Sequence, residues 1–240
     1  MTHESSGGHP EVLHTPSARS IREVVFGVND GLVSITGLVV GVTASHLSAR
    51  QILVAGLAAT VAATVAMGLG AYLSTSAQNE YFQAEWDREM REVHEVPDEE
   101  RREVEVILRQ KGFTPEEART FTARLMADKR QWVDFMMKEE LGIMVEGLDN
   151  PWKTAGIMAL AVLAGSLPPI LPYVFLPDPS RALRWAVGLA MATAFGLGVA
   201  KARVARGTWW KSGVQFVAVA AAAIVFGILL GRLFGTITAA

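Results

Sequence analysis

Two pairs of glutamates flank Pro97, and the members of each pair are three positions apart. The pairs are Glu89 with Glu92 and Glu100 with Glu103. Side chains three apart share one face of a helix, and carboxylate oxygens are ligands that divalent cations accept. The spacing therefore indicates a possible divalent-metal site, although spacing alone favours the plainer interpretation of a solvated acidic face.

Two methionines and a further glutamate follow at helical spacing. Glu140 lies four residues after Met136 and three after Met137, so the three side chains share a helix face. Thioether sulfur shifts metal preference away from calcium and magnesium and toward iron and its neighbours. If the helices of this region pack together, these residues can meet the four glutamates at one site.

Asp30 is the only ionisable residue between Val24 and His46, in a segment that is otherwise apolar. A carboxylate inside a membrane span is costly unless it faces a partner or a water-filled path. The apolar segments offer no basic residue to pair with it, so a cation or a proton is its natural counter-charge. The alternative is that the turn-like Asn29-Asp30-Gly31 lies near a helix end, where Asp30 snorkels or caps a broken helix.

Met67 lies among small residues, in the stretch Ala66-Met67-Gly68-Leu69-Gly70. A methionine in such a place usually fills a packing gap. Its thioether could also contact a transition metal of intermediate softness.

Five long segments that are nearly free of charge must position these residues. A bilayer core of ~30 Å needs ~20 mainly apolar residues per helix. A soluble core of this size would need a large polar shell, and the chain has only one polar region. We therefore predict an all-α polytopic membrane protein with transmembrane helices at 24–46, 51–76, 154–176, 182–202 and 212–236.

The net charge of −2 over 240 residues is the sum of an acidic stretch and a basic remainder. The stretch from Glu80 to Asp149 holds 19 of the 24 acidic residues and carries −8, and the rest carries +6. The chain has no cysteine, which excludes disulfides, thiolate zinc sites and cysteine nucleophiles. The near-neutral total gives no reason to expect a nucleic-acid partner.

The acidic stretch is predicted to be a three-helix insert between membrane helices two and three. Helix two runs on to about His94, a second helix begins at Pro97 and ends at Gly112, and a third runs from the capping box at Thr114 to about Glu146. The domains are then a disordered tail (1–20), membrane helices one and two (21–78), the acidic metal-binding insert (79–150) and membrane helices three to five (151–240). The tail lacks the apolar region of a signal peptide.

Basic residues predict the orientation, because they favour the cytosolic side of a membrane. Arg19 and Arg22 precede helix one, and four more lie between helices four and five: Lys201, Arg203, Arg206 and Lys211. The N-terminus and the insert are therefore expected in the cytosol and the C-terminus outside. The short tail without targeting signals favours a prokaryotic plasma membrane over a eukaryotic vacuole.

Glycine and proline positions predict how the last helices pack. Glycines recur every four residues at Gly227, Gly231 and Gly235, which lets helices approach closely. The prolines of the third span are expected to break or kink it; they are Pro168, Pro169 and Pro172.

The run Val25-Phe26-Gly27-Val28-Asn29-Asp30-Gly31-Leu32-Val33-Ser34 closely resembles the first-helix signature of the vacuolar iron transporter family. Weaker matches follow in order. They are Ala66-Met67 with Tyr72-Leu73-Ser74-Thr75-Ser76-Ala77-Gln78, then Gly165-Ser166-Leu167-Pro168-Pro169-Ile170-Leu171-Pro172-Tyr173, then the final apolar span. Together the matches cover about residues 20–236.

The resemblance implies a homodimeric secondary transporter in the lipid bilayer, not an enzyme. Such a protein moves Fe²⁺, and possibly Mn²⁺, Zn²⁺ or Co²⁺, out of the cytosol in exchange for protons. The resemblance assigns Asp30 and Met67 to the transport path. It assigns metal binding in the insert to Glu89, Glu92, Glu100, Glu103, Met136, Met137 and Glu140.

The chain departs from the family pattern at one position, and two alternative functions are to be weighed against transport. Family members often carry a glutamate before the tyrosine that ends span two, and this chain has Ala71 there. A membrane-anchored metal sensor or storage protein would use the insert but has no use for Asp30. A membrane-bound ferrous oxidase would need Glu-x-x-His pairs. In the insert, the residue three positions before His94 is Arg91 and not a glutamate. Glu11 and His14 do have this spacing, but they lie in the tail.

Overall fold

A computed structural model describes residues 15–44, 47–142 and 148–238. These residues form eight α-helices and no strand, in agreement with the predicted all-α class. The helices are α1 (Thr15–Ala44), α2 (Ala49–Glu95), α3 (Pro97–Gln110), α4 (Pro115–Leu125), α5 (Lys129–Glu139), α6 (Pro151–Phe175), α7 (Pro179–Val204) and α8 (Trp209–Thr238).

Five of the helices are long and apolar enough to cross a membrane, as predicted. They are α1, α2, α6, α7 and α8, and α2 alone is 47 residues long. The chain divides into two compact units. The membrane unit holds the chain up to Tyr72 and from Trp152 onward, and the acidic unit holds Leu73–Pro151.

The structure describes only the end of the segment predicted to be a disordered tail (1–20). Helix α1 begins at Thr15, inside the segment predicted to be a disordered tail. The remainder of that predicted tail, residues 1–14, lies outside the described residues.

The acidic unit confirms two predicted helix starts and corrects a third element. Pro97 is the first residue of α3, and Thr114 forms a capping box with Glu117 at the start of α4. The single helix predicted from Thr114 to about Glu146 is wrong, because the chain breaks after Leu125. Asp128 restarts it as α5 by accepting hydrogen bonds from the backbone N–H groups of Arg130 and Gln131 at 3.0 and 3.3 Å. The predicted end near Glu146 lies outside the described residues.

The prolines of α6 do not break the helix, which contradicts the stronger form of that prediction. Pro168, Pro169 and Pro172 all lie inside Pro151–Phe175. Neighbouring helices can compensate the backbone groups that prolines leave free in a membrane helix, which is why prolines are tolerated there.

Close helix packing builds the membrane unit. Around Tyr173 and Ile170 of α6, buried side chains from α1, α2 and α7 form one apolar cluster. The predicted glycine contacts of α8 are confirmed at Gly227 and Gly231, which lie against the backbones of Gly37 and Gly41 of α1. Without bulky side chains between them, helix backbones can approach this closely.

Candidate metal sites

A carboxylate cluster, made up of Glu89, Glu92, Glu100, Glu103 and Glu140, lies in the acidic unit. Helix α2 carries the first two, α3 carries the next two, and the fifth directly follows the end of α5. The negative charges of neighbouring members of the cluster help to raise the pKa of Glu89, Glu100 and Glu140, so the structure brings all five into one electrostatic neighbourhood. The sequence predicted such a meeting only on the condition that these helices pack together, and metal binding by the cluster stays a prediction.

Two members of the cluster are buried with an unsatisfied oxygen. Glu89 is 1% exposed and Glu100 is 4% exposed, and Oε2 of each has no hydrogen-bond partner. A buried charge without a partner is costly, so these carboxylates are poised either to hold a proton or to receive a cation.

The raised pKa values of Glu89, Glu100 and Glu140 also indicate that the cluster has too little positive charge around it. Burial, together with the negative charges of Glu103 and Glu89, raises the pKa of Glu100 to about 7. Burial also raises the pKa of Glu89, against a hydrogen bond from Arg88 that lowers it. The pKa of Glu140 is raised by desolvation and then by the charge of Glu89. A cation that bound here at neutral pH would therefore have to displace a proton.

Arg88 is a functional candidate that the sequence reasoning missed. Its guanidinium lies 3.2 Å from Glu85, 3.2 Å from Glu89 and 3.8 Å from Glu92. The signal was present in the sequence, because residues three and four positions apart on a helix can pair. Arg88 therefore supplies a positive charge to the α2 side of the cluster.

Met136 and Met137 lie in the apolar core of the acidic unit, fully buried beside Val93 and Val104. Those valines immediately follow Glu92 and Glu103, so the methionines belong to the core on which the glutamate-bearing helices pack. The indole Nε1 of Trp132, in the same core, has no hydrogen-bond partner.

The cluster does not form a closed coordination shell in this structure. Among the described residues, no three histidine, aspartate or glutamate side chains converge in a geometry that would hold a metal. The seven-residue ligand set therefore stays a prediction.

In the membrane unit, Asp30 lies on α1 where that helix touches α6 most closely. A Cβ atom added to Gly27 would lie 2.7 Å from Ala161 Cβ, and one added to Gly31 would overlap the carbonyl oxygen of Val162. Ser34 Oγ donates a hydrogen bond to Asp30 Oδ1 at 3.4 Å. No lysine, arginine or histidine in the described part of the chain forms an ion pair with Asp30.

Met67 lies on α2 next to Gly68, whose position packs against Ala155 and Ala159 of α6. Between those two alanines in sequence is Met158, a buried methionine whose Sδ lies close to Gly27 of α1. Sequence reasoning missed Met158, although it too stands among small residues. The structure thus gives α6 a thioether at about the depth of Met67.

Comparisons with known proteins show which family this chain is similar to. A model described as the VIT family matches residues 21–232. A protein named vacuolar iron transporter 2 from Oryza sativa subsp. japonica is 35% identical over 190 residues, which cover 79% of this chain and 77% of that protein. Vacuolar iron transporter 1 of the same species is 33% identical over 215 residues, covering 90% and 85%. The protein of that name from Arabidopsis thaliana is 32% identical over 193 residues, covering 80% and 77%.

Proposed function

The chain belongs to the VIT family and transports iron across a membrane, and we propose that it does so as a proton-coupled antiporter that exports Fe²⁺ from the cytosol. Asp30 is the observation that carries this proposal. It is a carboxylate in an apolar helix that accepts a hydrogen bond from the Ser34 hydroxyl, and no basic side chain among the described residues forms an ion pair with it. A titratable group so placed is typical of an ion or proton path.

Asp30 couples the two flows by accepting only one partner at a time. The ionised carboxylate binds a divalent cation, and the protonated carboxyl group is neutral and does not. The metal-loaded form releases its ion outside and takes a proton, and the protonated form returns. Met67 contacts the ion before Asp30 does, and its thioether favours iron, manganese, cobalt or zinc over magnesium.

The carboxylate cluster collects metal in the cytosol before it enters the path. Its proposed ligands are the five glutamates together with the thioethers of Met136 and Met137. Unpaired oxygens on Glu89 and Glu100 support this role, because a divalent cation supplies the charge that the apo cluster lacks. The four basic residues near the α7–α8 connection support the cytosolic placement of the acidic unit. We further propose that the protein works as a homodimer, as the family resemblance implies.

Fe²⁺ flux into proteoliposomes with an imposed pH gradient tests the antiport. Uptake should accelerate when the compartment that receives iron is acidic, and Asp30→Asn should abolish both transport and its pH dependence. The matched control is Glu23→Gln, because Glu23 lies on the same helix and is already paired with Arg22 at 3.1 Å. If Asp30→Asn transports iron like the wild type, the coupling mechanism is wrong.

Metal binding to the purified protein tests the cluster separately. Replacing Glu89, Glu92, Glu100 and Glu103 together by glutamine should remove Fe²⁺ binding measured by equilibrium dialysis without oxygen. Unchanged binding would show that the acidic unit is not the collecting site.

A further inference from the structure

A groove of about 280 Å³ lies between α1 and α8, near the first turns of α8. Its lining joins one guanidinium and two amide side chains to four apolar ones. The polar residues are Arg22, Asn29 and Gln215, and the apolar ones are Val25, Phe26, Phe216 and Val219. Farther along the same two helices, a second groove has Ser34 as its only polar side chain. The mixed lining is therefore a property of this end of the helix pair.

The apolar part of the groove is open to the outside of the membrane unit. Phe26 and Val219 are exposed, whereas Phe216 forms an inner wall by packing against the core around Leu32. Pockets that enclose a small molecule usually measure about 300–1,000 Å³. A smaller groove that is open along one side is suited to a single extended chain, such as the acyl chain of a lipid.

Arg22 gives the groove a positive charge that is still open to a partner. Its side chain is 77% exposed, and its one ion pair is with the adjacent Glu23 at 3.1 Å. A guanidinium has five N–H donors, so this pair leaves donors for a second anion. Asn29 and Gln215 add amide N–H donors to the same lining.

Two lysines reinforce the positive charge near the groove. The Lys201 ammonium lies 5.8 Å from the centroid of the Phe216 ring, which lines the groove. Lys211 precedes Gln215 by one helical turn and so lies on the same face of α8. No acidic residue follows Asp178 in the sequence, so α7 and α8 carry no carboxylate that could neutralise these charges.

Exposed tryptophans indicate the depth of the groove in the membrane. Trp209 and Trp210 open α8 and are both exposed, and tryptophan is enriched where the bilayer meets water. The Lys211 ammonium lies 5.8 Å from the centroid of the Trp210 ring. Gln215 follows Trp210 by five residues, which is about 7.5 Å along a helix. The basic groups therefore lie at the level of lipid headgroups, and the apolar lining extends toward the hydrocarbon.

We propose that this groove binds one anionic phospholipid, with its phosphate on Arg22 and an acyl chain against Phe26, Phe216 and Val219. The orientation proposed above places the groove in the cytosolic leaflet, where anionic lipids give the surface its negative potential. A second copy of the chain fits less well, because a two-fold contact through this face would bring its basic residues together. The proposal goes beyond iron transport and does not depend on the antiport mechanism.

Native mass spectrometry of the full chain in detergent tests the proposal, with phosphatidylglycerol and phosphatidylcholine of identical acyl chains as probes. The wild type should retain one phosphatidylglycerol per chain in preference to phosphatidylcholine. Arg22→Gln should weaken retention of phosphatidylglycerol about fivefold, which is the contribution of one basic residue near an anionic lipid surface. The matched control is Arg181→Gln, because Arg181 is also exposed and paired on its own helix, with Asp178 at 3.3 Å, but lies at the opposite end of α7. It should retain the lipid like the wild type.

Further variants and one soluble probe distinguish the lipid from other occupants. Phe26→Ala should weaken retention of phosphatidylglycerol by removing a wall of the acyl-chain groove, and Lys211→Gln should weaken it by removing charge. All these side chains are exposed, so the lipid-free variants should melt like the wild type. The proposal is overturned if both lipids are retained equally, or if Arg22→Gln retains phosphatidylglycerol like Arg181→Gln. It is also overturned if glycerol phosphate binds as tightly as the lipid, which would indicate a phosphate site, or if Arg22→Gln changes only the proportion of dimer, which would indicate a second copy.

Discussion

Replacing Glu100 by glutamine should stabilise the metal-free protein above neutral pH. Burial and neighbouring carboxylates raise the pKa of Glu100 from 4.5 to about 7 in the folded protein. Between those two pH values the folded state therefore holds more protons than the unfolded chain, and stability falls as pH rises. At 1.36 kcal/mol per pKa unit, the loss from this residue is about 3 kcal/mol, complete above pH ~7.

Thermal unfolding of the chelator-treated protein at pH 5 and pH 8 measures this effect. The wild type should melt lower at pH 8 than at pH 5. Glu100→Gln should match it at pH 5 and melt higher at pH 8, by up to roughly 6–12 °C if each kcal/mol moves the midpoint by about 2–4 °C. The control is Glu99→Gln, because the neighbouring Glu99 side chain is 65% exposed and should change stability by less than about 1 kcal/mol.

Two results would refute this reasoning. The first is a wild-type melting temperature that does not fall from pH 5 to pH 8. The second is a Glu100→Gln variant that melts lower than the wild type at pH 8, which would mean that favourable contacts hold the ionised carboxylate. With saturating divalent metal the order at pH 8 should reverse, because metal stabilises the folded form that binds it.

Three further predictions concern packing and capping, each measured by thermal or denaturant unfolding. Met137→Ala should lower the free energy of unfolding by about 2–5 kcal/mol, because Met137 is fully buried. Met137→Leu should lower it by less than about 1.5 kcal/mol but should weaken Fe²⁺ binding. If Met137→Leu binds Fe²⁺ as tightly as the wild type, Met137 is not a ligand. Gly31→Ala should lower the free energy of unfolding by about 1–3 kcal/mol, because the added Cβ atom would overlap the Val162 carbonyl oxygen. Gly70→Ala should raise it by up to about 1 kcal/mol, because a Cβ atom there has no other atom within 4 Å. Thr114→Ala should cost about 1 kcal/mol by removing the capping box; a loss no larger than that of exposed Thr120→Ala would contradict this.

The elements that the sequence predicted well are those fixed by local chemistry. Apolar runs of membrane length specify α1, α2, α6, α7 and α8 whatever their neighbours are. Pro97 and Thr114 mark helix starts by their own backbone and side-chain geometry. The break before α5 was missed because Asp128 lies in a charged stretch, where its role as an N-cap resembles ordinary surface charge.

The sequence proposes candidate ligands, but it does not predict the environment of each side chain. Helical spacing placed Glu89 and Glu100 among candidate ligands, yet Glu99 is equally acidic and is solvated. Only the packing of helices far apart in sequence decides which carboxylates are buried and which raise one another's pKa.

The contact between α1 and α8 has a genetic consequence. A Cβ atom at Gly227 would lie 2.6 Å from the carbonyl oxygen of Gly37, and one at Gly41 would lie 3.1 Å from that of Gly227. A clash in most protein cores can be suppressed by a second mutation that shrinks the opposing side chain. Here the opposing residue is already glycine, so no smaller residue exists. Second-site revertants of a mutation at these glycines must therefore arise elsewhere in the membrane unit, at positions that let the two helices move apart.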